Sequence, residues 1–353
     1  VSGRNGLATA VAATVLAGLA SAASGVTPAR DAQPPVTPPE HVRRAEQTFL
    51  TFPEWYLVHS PAEYAMFVKT QPPSEFPFWG HIRQFWESYR AVTDATRRGG
   101  YPLNIGYHVM IMVIGVSTTG EYALRLAYEN VVGRLAELTT SGLTDEDHYG
   151  ARVAQDYVDF IRVRPWYEYD FAARLRGLWS ETPAWGKGPL RKWERRYALT
   201  SEYLAKALYG WLIMKATKTA YEDARPDTAV WVDRLPDSVQ TELPDVKVLK
   251  QFPDGSALIT VPRYEAFKVY SSKLAERGVT FQEIAGNRGA ILVSALVPAA
   301  WTPGPGQQVL FTQPVLTRPA EKRVALTVNV PDLHALLNRI RLEGDDLEHV
   351  YDY

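Results

Sequence analysis

The residues best suited to chemistry lie in one stretch, Arg162 to Arg196. It holds nine basic residues (Arg162, Arg164, Arg174, Arg176, Lys187, Arg191, Lys192, Arg195, Arg196) against four acidic ones (Glu168, Asp170, Glu181, Glu194), in a chain of net charge −1. Trp166, Tyr167, Tyr169, Phe171, Trp179, Trp185 and Trp193 interleave them. Guanidinium groups grip phosphate or carboxylate by paired hydrogen bonds and stack on aromatic faces. Tryptophan and tyrosine favour the lipid headgroup level, where basic side chains meet anionic lipid. The expectation is a binding surface for anionic membrane lipid or envelope glycan, formed by Arg162, Arg164, Trp166, Arg174, Arg176, Trp185, Arg191, Lys192, Arg195 and Arg196. The competing reading puts the aromatics in a helical core, with the cations solvated outside it or paired to Glu181 and Glu194.

His81 is the most interesting of seven histidines, because it follows Phe76-Pro77-Phe78-Trp79-Gly80. Aromatic surroundings keep an imidazole neutral, which suits a general base and equally a satisfied core residue. A hydrolase-like alternative pairs His81 with Glu54 or Glu121 in an aromatic cleft. No two histidines stand at a metal-ligand spacing, and Asp145 with His148 reads as a helix first turn, so no metal or cofactor is expected. The G-x-S-x-G elbow, the P-loop, H-E-x-x-H, the EF-hand loop and G-x-G-x-x-G do not occur. The chain therefore reads first as a binding protein without enzymatic chemistry.

Composition narrows the classes further. The 353 residues contain no cysteine, which removes disulfides, thiolate nucleophiles and Cys-ligated metal centres. With 46% hydrophobic residues the chain is too apolar for disorder. Near-neutral charge and an export signal argue against nucleic acid as a partner.

That signal is the uncharged run Leu7 to Ala20, followed by Ala20-Ser21-Ala22, a small-x-small cleavage pattern. Fourteen residues give about 21 Å of helix, short of the roughly 30 Å hydrocarbon core. Residues 1–22 are thus a secretory signal or an N-terminal anchor, and the protein is placed in the cell envelope, exported. Residues 23–45, with five prolines between Thr27 and Glu40, read as an extended spacer. A second uncharged segment, Tyr101 to Gly120, is either a buried helix or a membrane-inserted one.

These groups need elements to hold them. Residues 46–225 read as an aromatic-rich all-α domain. Helix starts are expected at Thr51-Phe52-Pro53-Glu54, at Ser60-Pro61-Ala62-Glu63 and at Thr144. One aromatic stripe runs through Ile82, Phe85, Trp86 and Tyr89. A second core stripe runs through Leu190, Trp193, Tyr197, Leu204, Leu208 and Trp211. Residues 226–246 read as a linker. Residues 247–353 read as a ferredoxin-like α+β sandwich built from two strand–Pro–helix–Gly–strand units. Between them lies a hairpin of Val279–Ala285 with Ala290–Val297, and residues 308–316 add a strand. This domain is expected to dock a protein partner.

Overall fold

The computed structural model describes residues 34–217, 225–304 and 307–352. The apolar run Leu7–Ala20 and the first part of the spacer lie outside them. The chain mixes helix with two four-stranded antiparallel sheets. It forms two compact units that are each discontinuous in sequence. A helical unit comprises 57–82 and 104–217, and a sheet unit comprises 34–56, 83–103 and 225–352.

Helix α1, Gln47–Phe67, contains both Pro53 and Pro61 in its interior. The two helix starts expected at Thr51 and Ser60 are therefore not there. Each proline removes one helical N–H, but Phe49, Leu50, Phe52, Trp55 and Tyr56 are buried and packing holds the helix through the gap. Thr51 bonds back to the Gln47 carbonyl at 2.6 Å instead of capping. Helix α2, Phe78–Arg98, buries Ile82 and Phe85 of the expected aromatic stripe.

Helix α3, Ile105–Tyr128, starts at Asn104, whose side chain accepts from the Tyr107 amide. It passes through a π-helical turn, Glu129–Gly133, into α4, Arg134–Glu137. Thr144 caps α5, Asp145–Ile161, with a full capping box to Asp147. Helices α6, Phe171–Glu181, and α7, Pro189–Thr217, complete the helical unit. Tyr149, Val153, Tyr169, Phe171, Leu178, Leu199 and Tyr203 form one of its cores.

In the sheet unit, β1 (Asp227–Val232), α8 (Asp237–Glu242), β2 (Lys247–Gln251), β3 (Ala257–Pro262), α9 (Glu265–Glu276) and β4 (Phe281–Ile284) give a sheet ordered β2-β3-β1-β4. The expected linker thus contains a central strand, β1, and a short helix. Then β5 (Ala290–Pro298), β6 (Gln308–Pro314), β7 (Glu321–Asn329), α10 (Leu333–Glu343) and β8 (Asp346–Val350) give a second sheet ordered β6-β7-β5-β8. The strand–helix–glycine–strand repeat is present twice, ending in Gly278 and Gly344 at φ +70° and +74°.

The hairpin expected around Gly286-Asn287-Arg288-Gly289 does not form. β4 pairs with β1, while β5 pairs with β7 over nine residues and with β8. The turn carries the chain from one sheet to the next, because β7 offers β5 a longer apolar register than β4 could. Helices α9 and α10 pack together and share one hydrophobic core with both sheets, including Ile259, Phe267, Val293, Leu326 and Leu336.

Other segments cover the remaining faces. Thr48 bonds the Tyr351 carbonyl and the Leu292 amide, both at 2.9 Å, and Trp55 stacks on His349 at 3.6 Å. From Pro34 onward the expected spacer is docked. Buried Glu283 accepts from the Thr37 amide at 2.8 Å and from Arg288 Nε at 2.6 Å. The Arg43 amide bonds the Ala285 carbonyl at 2.9 Å.

Candidate functional site

The stretch Arg162–Arg196 divides into an inner and an outer half. Arg191, Lys192, Arg195 and Arg196 open α7, and all four are buried. Arg195 makes a two-pronged pair with Glu129, at 2.8 and 2.9 Å, and also contacts Glu194. Arg191 bonds Asp147 and Glu194 at 3.0 Å each, and the Gly133 carbonyl at 3.3 Å. Lys192 reaches Asp145 at 2.7 Å and Glu146 at 3.0 Å. Arg196 takes the other Glu146 oxygen at 2.8 Å and the Thr182 carbonyl at 2.9 Å. These four are thus not a binding surface, which corrects the sequence reading. The acidic first turn of α5 and the π turn supply their partners. A Cβ on Gly133 would overlap Glu129 Oε2, so the close approach of turn and carboxylate needs glycine there.

The outer half keeps its exposure. Arg164, Arg176 and Trp185 face outward, as do Trp179, Trp193 and Lys187. Trp193 lies 6.0 Å from Trp179 and 6.2 Å from Trp185, ring to ring, and the Arg196 guanidinium sits beneath Trp179 and Trp193. Arg162 pairs with Asp159, Arg174 with Asp156, and Trp166 stacks on Tyr209.

His81 is fully enclosed in the first turn of α2. Its Nδ1 lies 3.0 Å from Ser60 Oγ, which also meets the Tyr122 hydroxyl at 2.8 Å. Its Nε2 faces Glu63 at 3.7 Å, and Phe76 stacks on the ring at 4.6 Å. The neighbouring carboxylate is therefore Glu63, not Glu54 or Glu121. Glu54 is exposed and belongs to the sheet unit, and Glu121 pairs with Lys206 at 3.1 Å. Sequence reasoning missed Ser60 and Glu63 because both were assigned to a capping box, although their i, i+3 spacing puts them on one helix face. Serine, histidine and glutamate are the side chains of a nucleophilic triad, yet the enclosed hydroxyl offers a substrate no approach. The cluster works as a polar joint between α1, α2 and α3. Among the described residues, no group of three or more His, Asp or Glu side chains is placed to hold a metal ion.

The most unusual arrangement concerns the outward faces of α3 and α7. The stripe expected to be core on α7 is exposed at Leu190, Trp193, Tyr197, Leu204, Leu208 and Trp211. From Pro189 to Met214, no exposed residue of α7 carries a formal charge. The helix's charged residues turn inward, and Glu202 binds Arg125 at 2.5 Å and Lys206 at 2.9 Å. Helix α3 shows the pattern in part. Ile105, Met112, Val113, Val116 and Leu124 are exposed and Arg125 points into its ion pair with Glu202, but Glu121, paired with Lys206, keeps a 41% exposed side chain. The continuous helical run Ile105–Glu137 is long and apolar enough to cross a membrane, and only 17% of its apolar window is buried. Most of Tyr101–Gly120 is therefore not covered by the described residues.

No protein family, curated protein or solved structure was found to match the chain.

Proposed function

We propose that this is an exported, envelope-associated membrane protein that binds rather than catalyses, with its helical unit set in an anionic bilayer. The observation carrying this reading is the inverted polarity of α7, with ion pairs inside and uncharged side chains outside, which α3 shares except at Glu121. In water each large exposed apolar side chain forgoes about 1.5–3 kcal/mol of burial, whereas hydrocarbon rewards that arrangement. Charged groups in lipid are tolerated where they face the bundle interior and pair, as Arg125, Glu202 and Lys206 do. Arg164, Arg176 and Lys187, with Trp179 and Trp185, supply the basic-aromatic rim that anionic headgroups favour.

With it goes a finer reading of the fold: an aromatic-rich helical domain and an α+β domain of two ferredoxin-like sheets. Within each half the strands run fourth, first, third, second across the sheet, the ferredoxin-like order, and the second half lacks the first helix. Such sheets commonly dock partners, so a protein partner at this unit is part of the proposal.

Fractionation of the native protein tests the membrane reading. The expected result is retention in membranes through alkaline carbonate and release only by detergent. Release by carbonate or high salt alone would overturn it. Vesicle binding then tests the rim: reversing Arg164, Arg176 and Lys187 to Glu should weaken binding to anionic vesicles and abolish its salt dependence. Unchanged binding would remove the rim from the proposal.

A further inference from the structure

A groove of about 480 Å³ runs between α6 and α7, lined by Leu175, Arg176, Trp179, Ser180 and Thr200. Its walls are carbon. The Trp179 indole N–H is spent on Thr200 Oγ1 at 3.1 Å, and the Ser180 hydroxyl donates to the Arg176 carbonyl at 3.1 Å. Trp179 is held further by the Arg196 guanidinium, 5.1 Å from its ring centroid. The one charged group lining the groove is the Arg176 guanidinium, which is exposed and has no carboxylate partner among the described residues. Thr200 continues the line of Trp193 and Tyr197 on α7, seven and three residues back, so the groove opens onto the uncharged helix face.

We propose that this groove is a binding site for a single anionic phospholipid, an acyl chain lying against Leu175 and Trp179 and its phosphate held by Arg176. The assignment rests on the membrane reading above. A sugar ring would need several donors and acceptors beside the indole, where Thr200 Oγ1 already accepts from Trp179 and the Ser180 hydroxyl already donates to a backbone carbonyl. An acyl chain needs none, and one cation matches one phosphate. The fixed indole presents the wall before the lipid arrives, which lowers the cost of ordering it.

The test uses the full chain, purified in detergent, stripped of lipid and examined by native mass spectrometry with added phosphatidylglycerol or phosphatidylcholine. The expected result is one retained phosphatidylglycerol, with phosphatidylcholine at least fivefold less. Arg176→Gln should bring phosphatidylglycerol down to the phosphatidylcholine level, and Leu175→Asp should remove both, with helicity by circular dichroism unchanged. Equal retention by both variants and the parent overturns the site, as does displacement of the lipid by millimolar inorganic phosphate or by an oligosaccharide. Because detergent dependence of extraction is scored separately, a chain that needs detergent yet retains no lipid loses only this site. A chain freed by carbonate loses both proposals.

Discussion

Arg195 and its neighbours show how context sets the role of a charge. A cation buried against Glu129 in a two-pronged pair becomes a liability once its partner is removed, because the surviving charge stays buried. Glu129→Ala or Arg195→Leu should therefore cost about 3–5 kcal/mol, seen as a lower denaturation midpoint in detergent. Reversing Arg191, Arg195 and Arg196 together should abolish folding rather than binding, read as loss of cooperative unfolding. Asp352 supplies a pH-dependent counterpart in the sheet unit. Burial pushes its carboxyl up to about 6, against the pull of Arg263, the Thr228 hydroxyl bond and Arg43. The folded chain thus holds this proton more tightly than the unfolded one. The stability that gives is full below the ordinary value of 3.8 and lost as pH rises through about 6. The loss is about 3 kcal/mol. Asp352→Asn should flatten that part of the pH–stability curve and raise stability at pH 7.5. A curve parallel to the parent's would refute the assignment.

At the scale of elements, α3 and α7 decide the interpretation. Placing a lysine at Val116 or Leu208 should be nearly neutral for a water-soluble helix, since both positions are exposed. In a bilayer centre it costs about 2.5–3.5 kcal/mol, so membrane insertion measured by protease protection should fall for both variants. The same helices show what a sequence conveys and what it withholds. The spacing of Leu190, Trp193, Tyr197, Leu204, Leu208 and Trp211 reveals an apolar stripe, but periodicity does not name the solvent that stripe faces. Only the opposing carboxylates of the π turn and α5, distant in sequence, show that the cationic side of α7 is the buried one. Thr144 was legible because a capping box is local. Pro53 and Pro61 were misleading because tertiary burial overrode a local signal. The turn at Gly286–Gly289 was legible as a turn, but its strands' partners were set by a nine-residue match elsewhere. His81 was legible as enclosed by aromatics, while its partners Ser60 and Glu63 were hidden behind a second use of the same residues.

On the scale of the whole molecule, the division into units does not follow the chain. Residues 34–56 and 83–103 belong with 225–352, a grouping that no composition shift marks. A fragment holding residues 225–352 alone would leave uncovered the sheet face that Thr48, Phe52, Trp55 and Gln84 occupy. It should be aggregation-prone, with amides exchanging rapidly in β5 and β8. Adding residues 34–103 in trans should slow that exchange. Slow exchange in the fragment by itself would show that the covering segments are dispensable. The grip of Glu283 on the Thr37 amide joins positions 246 residues apart in sequence. Residues 34–56 and 83–103 are therefore synthesised long before the strands they pack on, and their apolar side chains stay uncovered until residues 225–352 have followed. A chain folding as it is made would hold these segments open throughout the synthesis of the intervening helical unit.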